Sequence, residues 1–551
     1  MAGTHRAADV IVERLLAHRV GQVFTVAGES YLDVLDAFYG ARDSITLITC
    51  RHEAAAANMA EAAAKLTGAP GVAFVTRGPG LTHASIGVHT AMQDATPLVL
   101  FVGEISREDR YRHAFQEVSL VQTFADLAKG VLQIDSAARA AELVDRAFQW
   151  AASGRPGPVV VGLPEDVLGE ACAHEPHPPG AAPAQGVDAA SLAAIAQELQ
   201  AARRPLVWVG GGQWSPADLA ALRDCVRAWD LPVITGFRRK DLYPNADEHY
   251  AGELGFGANP RLVQRLRDAD RILVLGAALG DVETGGYQWL DRATTGSRVL
   301  HVHPDGGTLG AVFPVRVAAQ SRPGALAAAL RAHAPAGGPA AWSGWTQSAR
   351  ADQRAFMEGV AVTGAVNLSA VFRHLRASLP DTAVVTNGAG NYAAWLHRFY
   401  SHDQPRTQLA PGSGAMGYAV PAAVAAKIVL PEREVVCVAG DGCFLMSAQE
   451  LATVSALGLK ILFIVVNNGT YGTIRMHQES RFPGRPIGTA LSNPSFTGLA
   501  RSFGLAAWRV TTTEEFPGVL AAARSDAGPA LIELETSIED IAPGRRLTPA
   551  G

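Results

Sequence analysis

Asp441 lies between two glycines at the end of the run "EVVCVAGDG", and an asparagine pair, Asn467 and Asn468, closes the run "KILFIVVNN". A carboxylate and an amide oxygen, with a nearby backbone carbonyl, form a hard-oxygen site suited to Mg²⁺ whose remaining positions go to phosphate and water. Gly440 and Gly442 precede a predicted helix, so a pyrophosphate can approach backbone N–H groups at its N-terminus. Glycine and aspartate are ordinary turn residues, and GDG alone reads as a turn. Followed by an apolar strand that ends in two asparagines, it is more specific. A second carboxylate, Glu53, follows the strand-like "SITLITC" and opens the alanine-rich pattern "EAAAANMAEAAAKLTG". The helix dipole favours a negative charge there, although by itself Glu53 reads as a first-turn glutamate.

Such residues need strands that end at them. Short β-branched runs ("QVFTVAG", "GVAFVTRGPG", "PLVLFVGEI", "PVVVGLPED") alternate with helical patterns in the first third of the chain. The habit returns with "RPLVWVGGG", "LPVITGF", "RILVLGAAL" and "RVLHVHPD", then with "TAVVTNGAGN", "EVVCVAGDG", "KILFIVVNN" and "ALIELET". This alternation predicts an α/β fold of three doubly wound domains with mostly parallel sheets. Stretches rich in Pro, Gly and Ala at 172–186 and 333–344 read as linkers, giving domains at 1–172, 187–333 and 350–551. In open α/β sheets ligands bind beyond the carboxyl ends of the strands, so the residues just after each run carry the information.

Bulk properties agree. A chain of 551 residues divides into about three domains at roughly 150 residues each. Hydrophobic residues at 48%, charged residues at 18% and a formal net charge of −5 give no basic patch, so no nucleic-acid partner is expected. The five cysteines are scattered without CxxC, which reads as reduced thiols in a cytoplasmic protein with no zinc site. The N-terminal stretch is amphipathic rather than signal-like. Runs such as "ILFIVV" fall far below the ~20 residues that span a bilayer, so no membrane partner is expected.

The segment from Gly440-Asp441-Gly442 through Asn467-Asn468 resembles the thiamin diphosphate-binding motif of the thiamin diphosphate-dependent enzymes. The whole chain resembles their acetolactate synthase, benzoylformate decarboxylase and pyruvate oxidase group, with pyrimidine-binding, central and pyrophosphate-binding domains in that order. The resemblance implies that Asp441 and the Asn468 side chain bind Mg²⁺ with the main-chain carbonyl of Thr470. It implies that Gly440, Gly442, Cys443, Tyr471 and Gly472 lie beside the cofactor. "HEAAAANMAEAAAKLTG" matches the segment whose glutamate hydrogen-bonds the pyrimidine ring, which gives Glu53 the role of favouring the imino tautomer that deprotonates the thiazolium carbon. "TRGPGLTHASIG" resembles a segment whose Gly78, Pro79 and Gly80 form a turn close to the cofactor, with Gly28 also placed there. His83 stands where the acetolactate synthases have asparagine, either touching reacting atoms or making a structural hydrogen bond. Phe115 and Gln116 match those synthases' FQE, placing them near the substrate. Asn387, Gly388, Gly390 and Asn391 would line the diphosphate, and Gly414 with Met416 resemble a segment whose methionine wedges between the two cofactor rings.

The chain also departs from the synthases. Their central-domain arginine for the second oxoacid is replaced by Val282 in "GAALGDVETGG". Losing that cation weakens discrimination for an oxoacid acceptor by about 2 kcal/mol. In "GTIRMHQ", His477 replaces a pocket tryptophan, and Ile474 falls where pyruvate decarboxylases carry a proton-managing glutamate. FAD binds the central domain of some relatives. It is not expected here, since His303 stands where those relatives have an acidic residue, but a flavin remains the open alternative. The expected activity is thiamin diphosphate- and Mg²⁺-dependent decarboxylation of a 2-oxoacid, with carboligation to an aldehyde, ketone or oxoacid acceptor. The alternatives are a simple 2-oxoacid decarboxylase or an FAD-dependent oxidoreductase of the pyruvate oxidase type. The family's arrangement further implies a homodimer or homotetramer with its site between subunits.

Overall fold

The computed structural model describes residues 3–180, 185–212, 214–335 and 340–547. Parts of both predicted linkers, at 181–184 and 336–339, lie outside these residues, as does Gln213. By compactness the chain forms two units. The first is Met1–Pro183 with Pro411–Pro431 and Leu445–Leu459, and the second is Ala184–Ala410 with Glu432–Phe444 and Lys460–Gly551.

The first unit contains a six-stranded parallel sheet. Its spatial order is Thr46–Thr49, Gln22–Thr25, Gly71–Val75, Leu98–Glu104, Pro158–Pro164, Gly130–Gln133. Gly71–Val75 and Leu98–Glu104 are buried along their whole length, as strands covered on both faces by helices must be. The order reverses between Gln22–Thr25 and Gly71–Val75, which makes the loops after Thr25 and Val75 the place where a ligand fits. Helix Glu53–Thr67 crosses this unit with nearly every residue buried, and eight of its fifteen residues are alanine, so neighbours can approach closely. A Cβ on Gly87, in helix Pro79–Gln93, would sit 2.4 Å from the Ala57 Cβ, so this helix pair needs glycine at the crossing.

The second unit contains two six-stranded parallel sheets, completing the three doubly wound α/β domains. One runs Gln408–Leu409, Val384–Asn387, Val435–Gly440, Leu462–Asn467, Ala530–Glu535, Ala506–Val510, the same relative order as in the first unit. The other runs Tyr250–Glu253, Val233–Thr235, Pro205–Val209, Arg271–Leu275, Val299–His303, Val317–Gln320. That order is the one used by many dinucleotide-binding sheets.

Two local expectations gain detail. The helix expected over "SAQELATVSALG" forms, opening with the 3₁₀ turn Ala448–Glu450 and continuing directly as Leu451–Ala456, while Asp441–Leu445 forms a helical turn of its own. The turn expected at Gly78, Pro79 and Gly80 is present, the Gly80 N–H donating to the Arg77 carbonyl at 3.2 Å, and it runs directly into a helix. Pro79 opens helix Pro79–Gln93, where its missing N–H costs nothing, and Gly78 makes the bend before it at φ +49°. Among the described residues no helix is long and apolar enough to cross a membrane.

Candidate active site

In the second unit Asp441 follows strand Val435–Gly440, and the register that pairs Gly440 with Val466 brings it beside the end of Leu462–Asn467. The carboxylate is 3% exposed. Its Oδ1 accepts the Gly442 N–H at 2.8 Å, and its Oδ2 accepts the Gly469 N–H at 2.9 Å and the Asn493 amide at 2.8 Å. No basic side chain among the described residues pairs with it. Burial therefore raises its pKa, and the donors from Gly442, Asn493 and Gly469 only partly oppose this. A buried carboxylate held by neutral donors and lacking a cation is a site prepared for one.

Asn467 supports the same turn. Its Oδ1 accepts from the Gly469 N–H and from the Asn493 amide, and its own amide donates to Glu533 at 2.8 Å. Asn468 accepts the Thr470 N–H at 3.2 Å, and the Thr470 hydroxyl donates to the Thr489 carbonyl at 2.8 Å.

Aromatic rings shape the cradle between these strands. The Tyr392 hydroxyl accepts the Gly388 N–H at 3.0 Å and donates toward the Cys443 sulfur at 3.5 Å, and a Cβ on Gly440 would lie 2.8 Å from the Tyr392 ring. Tyr471 packs just as tightly on Gly442. Asn387 ends its strand, Gly388 and Gly390 make the bend, and Asn391 opens helix Asn391–Phe399. The Asn391 amide is used at both ends. Thr473 donates to its oxygen at 2.9 Å, and its nitrogen donates to the Met476 sulfur at 3.5 Å. This ties the bend to helix Gly472–Arg481, on which Ile474 and His477 are exposed three positions apart and so share a face.

Glu53 lies in the first unit, at the first position of helix Glu53–Thr67. His52 caps that helix through its Nδ1, which accepts the Ala54 N–H at 3.1 Å. Glu53 Oε2 is 2.9 Å from His83 Nδ1, and the His52 and His83 rings face each other at 4.6 Å between centroids. Burial, helped by His83, lowers the pKa of His52. Beneath this turn the fully buried Glu450 accepts the Arg51 N–H at 2.9 Å and the Thr453 hydroxyl at 2.7 Å. Burial raises its pKa.

At the switch point of the first sheet, a Cβ on Gly28 would clash with Thr76 at 2.4 Å, so the two loops touch. Gln116, itself at φ +62°, lies against Gly78, where an added Cβ would meet the Gln116 carbonyl at 2.7 Å. Phe115 beside it is 72% exposed. Gly414 and Met416 sit in turns before helix Ala419–Val429, and the Tyr418 hydroxyl anchors that segment by donating to buried Glu61 at 2.6 Å.

In the central sheet Val282 starts a 3₁₀ turn, and the carboxyl of the next residue, the partly buried Glu283, has its pKa pushed up to about 7 by desolvation. At this sheet's switch point, a Cβ on Gly210 would lie 2.8 Å from the Ala277 Cβ, and the buried Trp214 donates to the Gly210 carbonyl at 2.8 Å. His303 ends its strand, buried, with its Nδ1 accepting the Asp305 N–H at 3.0 Å.

Sequence reading passed over Asn493, Tyr392, Glu450 and His52 as site residues. His52 opens "HEAAAANMAEAAAKLTG" and Tyr392 directly follows "TAVVTNGAGN", so their places before a helix start and after a strand end were available signals. Asn493 lies in a loop without a pattern, and nothing in the local sequence ties it to Asp441.

Three family descriptions match the chain. "Thiamine pyrophosphate enzyme, N-terminal TPP binding domain" covers residues 5–123, the corresponding central domain covers 192–330, and the C-terminal TPP binding domain covers 388–534. Among curated relatives, the acetolactate synthase large subunit of Parasynechococcus marenigrum (strain WH8102) is 31% identical over 96% of this chain and 87% of its own length. In Escherichia coli (strain K12), the acetolactate synthase isozyme 3 large subunit is 30% identical over 94% and 92%, and the isozyme 2 large subunit is 29% identical over 99% and 97%.

Proposed function

We propose, for a chain that belongs to the thiamine pyrophosphate enzymes in their acetolactate synthase group, that it decarboxylates a 2-oxoacid and joins the retained acyl unit to a carbonyl acceptor. Thiamin diphosphate supplies the electron sink for both halves of that chemistry when bound. The observation that carries the reading is the Asp441 carboxylate, buried, paired with no basic side chain among the described residues, and held toward Gly469 and Asn493.

Asp441, the Asn468 amide oxygen and the Thr470 carbonyl would hold Mg²⁺, and all three are hard oxygens. Gly388, Gly390, Asn387, Asn391, Gly440, Gly442, Cys443, Tyr471 and Gly472 would accept the diphosphate end. Gly28, Gly78, Pro79, Gly414 and Met416 would serve the ring end. Glu53 would exchange a proton with the pyrimidine ring, its Oε2 meanwhile facing His83 Nδ1 at 2.9 Å. Gln116, Phe115, His83, Ile474 and His477 would line the reacting centre. Ile474 has no ionisable proton, so it would not protonate the retained acyl unit. This favours carboligation over simple decarboxylation.

The domains are read as 1–172, 187–333 and 350–551, in a cytoplasmic homodimer or homotetramer. All five cysteines are buried and none is in a disulfide, in keeping with a reducing compartment. The dinucleotide-type strand order of the central sheet keeps the FAD alternative in view, and a visible flavin band in the purified protein would favour it. The test of the main reading is Glu53→Gln. Turnover of oxoacids should fall by about 10²-fold or more, as for loss of a proton-transfer group, while cofactor still binds. Unchanged turnover would sink the proposed role.

A further inference from the structure

We propose that His52, Glu53 and His83 form a second metal site, selective for borderline divalent transition ions such as Zn²⁺, whose occupation removes Glu53 from its role in turnover. One ligand atom from each residue lies within 4.8 Å of the other two, and the Glu53 Oε2 to His83 Nδ1 pair is already at 2.9 Å. Tetrahedral Zn²⁺ with bonds of about 2.0–2.2 Å needs ligand atoms roughly 3.4 Å apart. The remaining closure falls to His83, whose side chain is 52% exposed and free to rotate, whereas Glu53 at 12% is held in place. His83 then carries its proton on Nε2 and turns Nδ1 to the ion.

Two imidazoles and one carboxylate prefer Zn²⁺, Co²⁺ or Ni²⁺, whereas the all-oxygen set at Asp441 prefers Mg²⁺, so the two sites sort their ions by ligand type. Three protein ligands leave a fourth position open to water, and half-exposed His83 gives the ion its entry. The five cysteines gave no zinc spacing, and this site uses none of them. The metal site itself stands on geometry alone, and only its effect on turnover rests on the function proposed above.

The test uses the full chain stripped of cofactor, with Co²⁺ as probe. Equilibrium dialysis should find a stoichiometric Co²⁺ with the visible bands of a tetrahedral site, displaced by equimolar Zn²⁺ but not by excess Mg²⁺. His83→Asn and His52→Asn should each weaken Zn²⁺ at least about 10-fold, since loss of a ligand costs no less than loss of its supporting partner. Asn keeps the capping acceptor at 52, so the helix start survives that change. No stoichiometric Co²⁺, or affinity unchanged in both variants, overturns the proposal. With thiamin diphosphate and Mg²⁺ present, Zn²⁺ should inhibit wild-type turnover reversibly and inhibit the His83→Asn variant less. The dialysis involves no turnover, so a protein inactive on every oxoacid would still be tested for the metal, and a failed metal test would leave the cofactor reading standing.

Discussion

Replacing Asp441 with Asn should separate cofactor binding from folding. The carboxylate accepts from Gly442, Gly469 and Asn493 at 2.8, 2.9 and 2.8 Å. An amide satisfies Gly469 and Asn493 with its carbonyl but turns its NH₂ toward the Gly442 N–H, leaving that donor unpaired at about 1–3 kcal/mol. The opposing term is the buried charge. Asp441's folded pKa is raised above the ordinary 3.8 by burial. Between those values the folded state holds more protons than the unfolded chain, so stability falls as pH rises through the window. Above the folded pKa the full cost of the buried charge is present, and the amide removes it. The two terms offset, so thermal unfolding of the cofactor-free variant should stay within a few degrees of wild type. Binding behaves differently, because the variant offers Mg²⁺ no anionic ligand. Loss of a charged interaction of about 1.5–3 kcal/mol predicts cofactor affinity at least about 10-fold weaker. Calorimetric titration of thiamin diphosphate with Mg²⁺ present reads this directly. A variant that binds within about threefold of wild type, or that fails to fold, refutes the reasoning.

Three further outcomes follow from local geometry. Gly87→Ala drives a methyl to 2.4 Å from the Ala57 Cβ and should destabilise the first unit by about 1–3 kcal/mol in denaturant unfolding. Tyr392→Phe leaves the buried Gly388 N–H without its acceptor and should cost about 1–3 kcal/mol, seen as a lower melting temperature and weaker cofactor binding in titration. Glu104, 8% exposed, has its pKa pushed up to about 7 by burial, so its contribution to stability declines as pH climbs from 4.5 to about 7. Glu104→Gln should therefore melt higher than wild type above pH 7, by up to about 3 kcal/mol in stability, and lose that advantage near pH 4.5.

The sheets were legible because buried parallel strands are written as continuous Val, Ile and Leu runs, each followed by the glycines and polar residues of a strand end. The start of helix Glu53–Thr67 was legible for the same reason, since alanine repetition leaves no other reading. The connection after Asp441 was less so. "SAQELATVSALG" has helical composition and forms a helix, but its first turn, Ala448–Glu450, is 3₁₀, and its Glu450 faces inward to accept the Arg51 N–H, a contact the sequence does not signal. Pairwise contacts across long separations were not legible. The Asn493 amide on Asp441, and the His83 ring on Glu53, are set by how loops fold back, which no local period encodes.

The most direct test offers the wild-type protein, with thiamin diphosphate and Mg²⁺, a panel of 2-oxoacids with and without an aldehyde or ketone, and measures carbon dioxide and products by mass. The account predicts that at least one oxoacid loses carbon dioxide and that its acyl unit appears joined to the acceptor. A protein with cofactor demonstrably bound that decarboxylates none of them would contradict it.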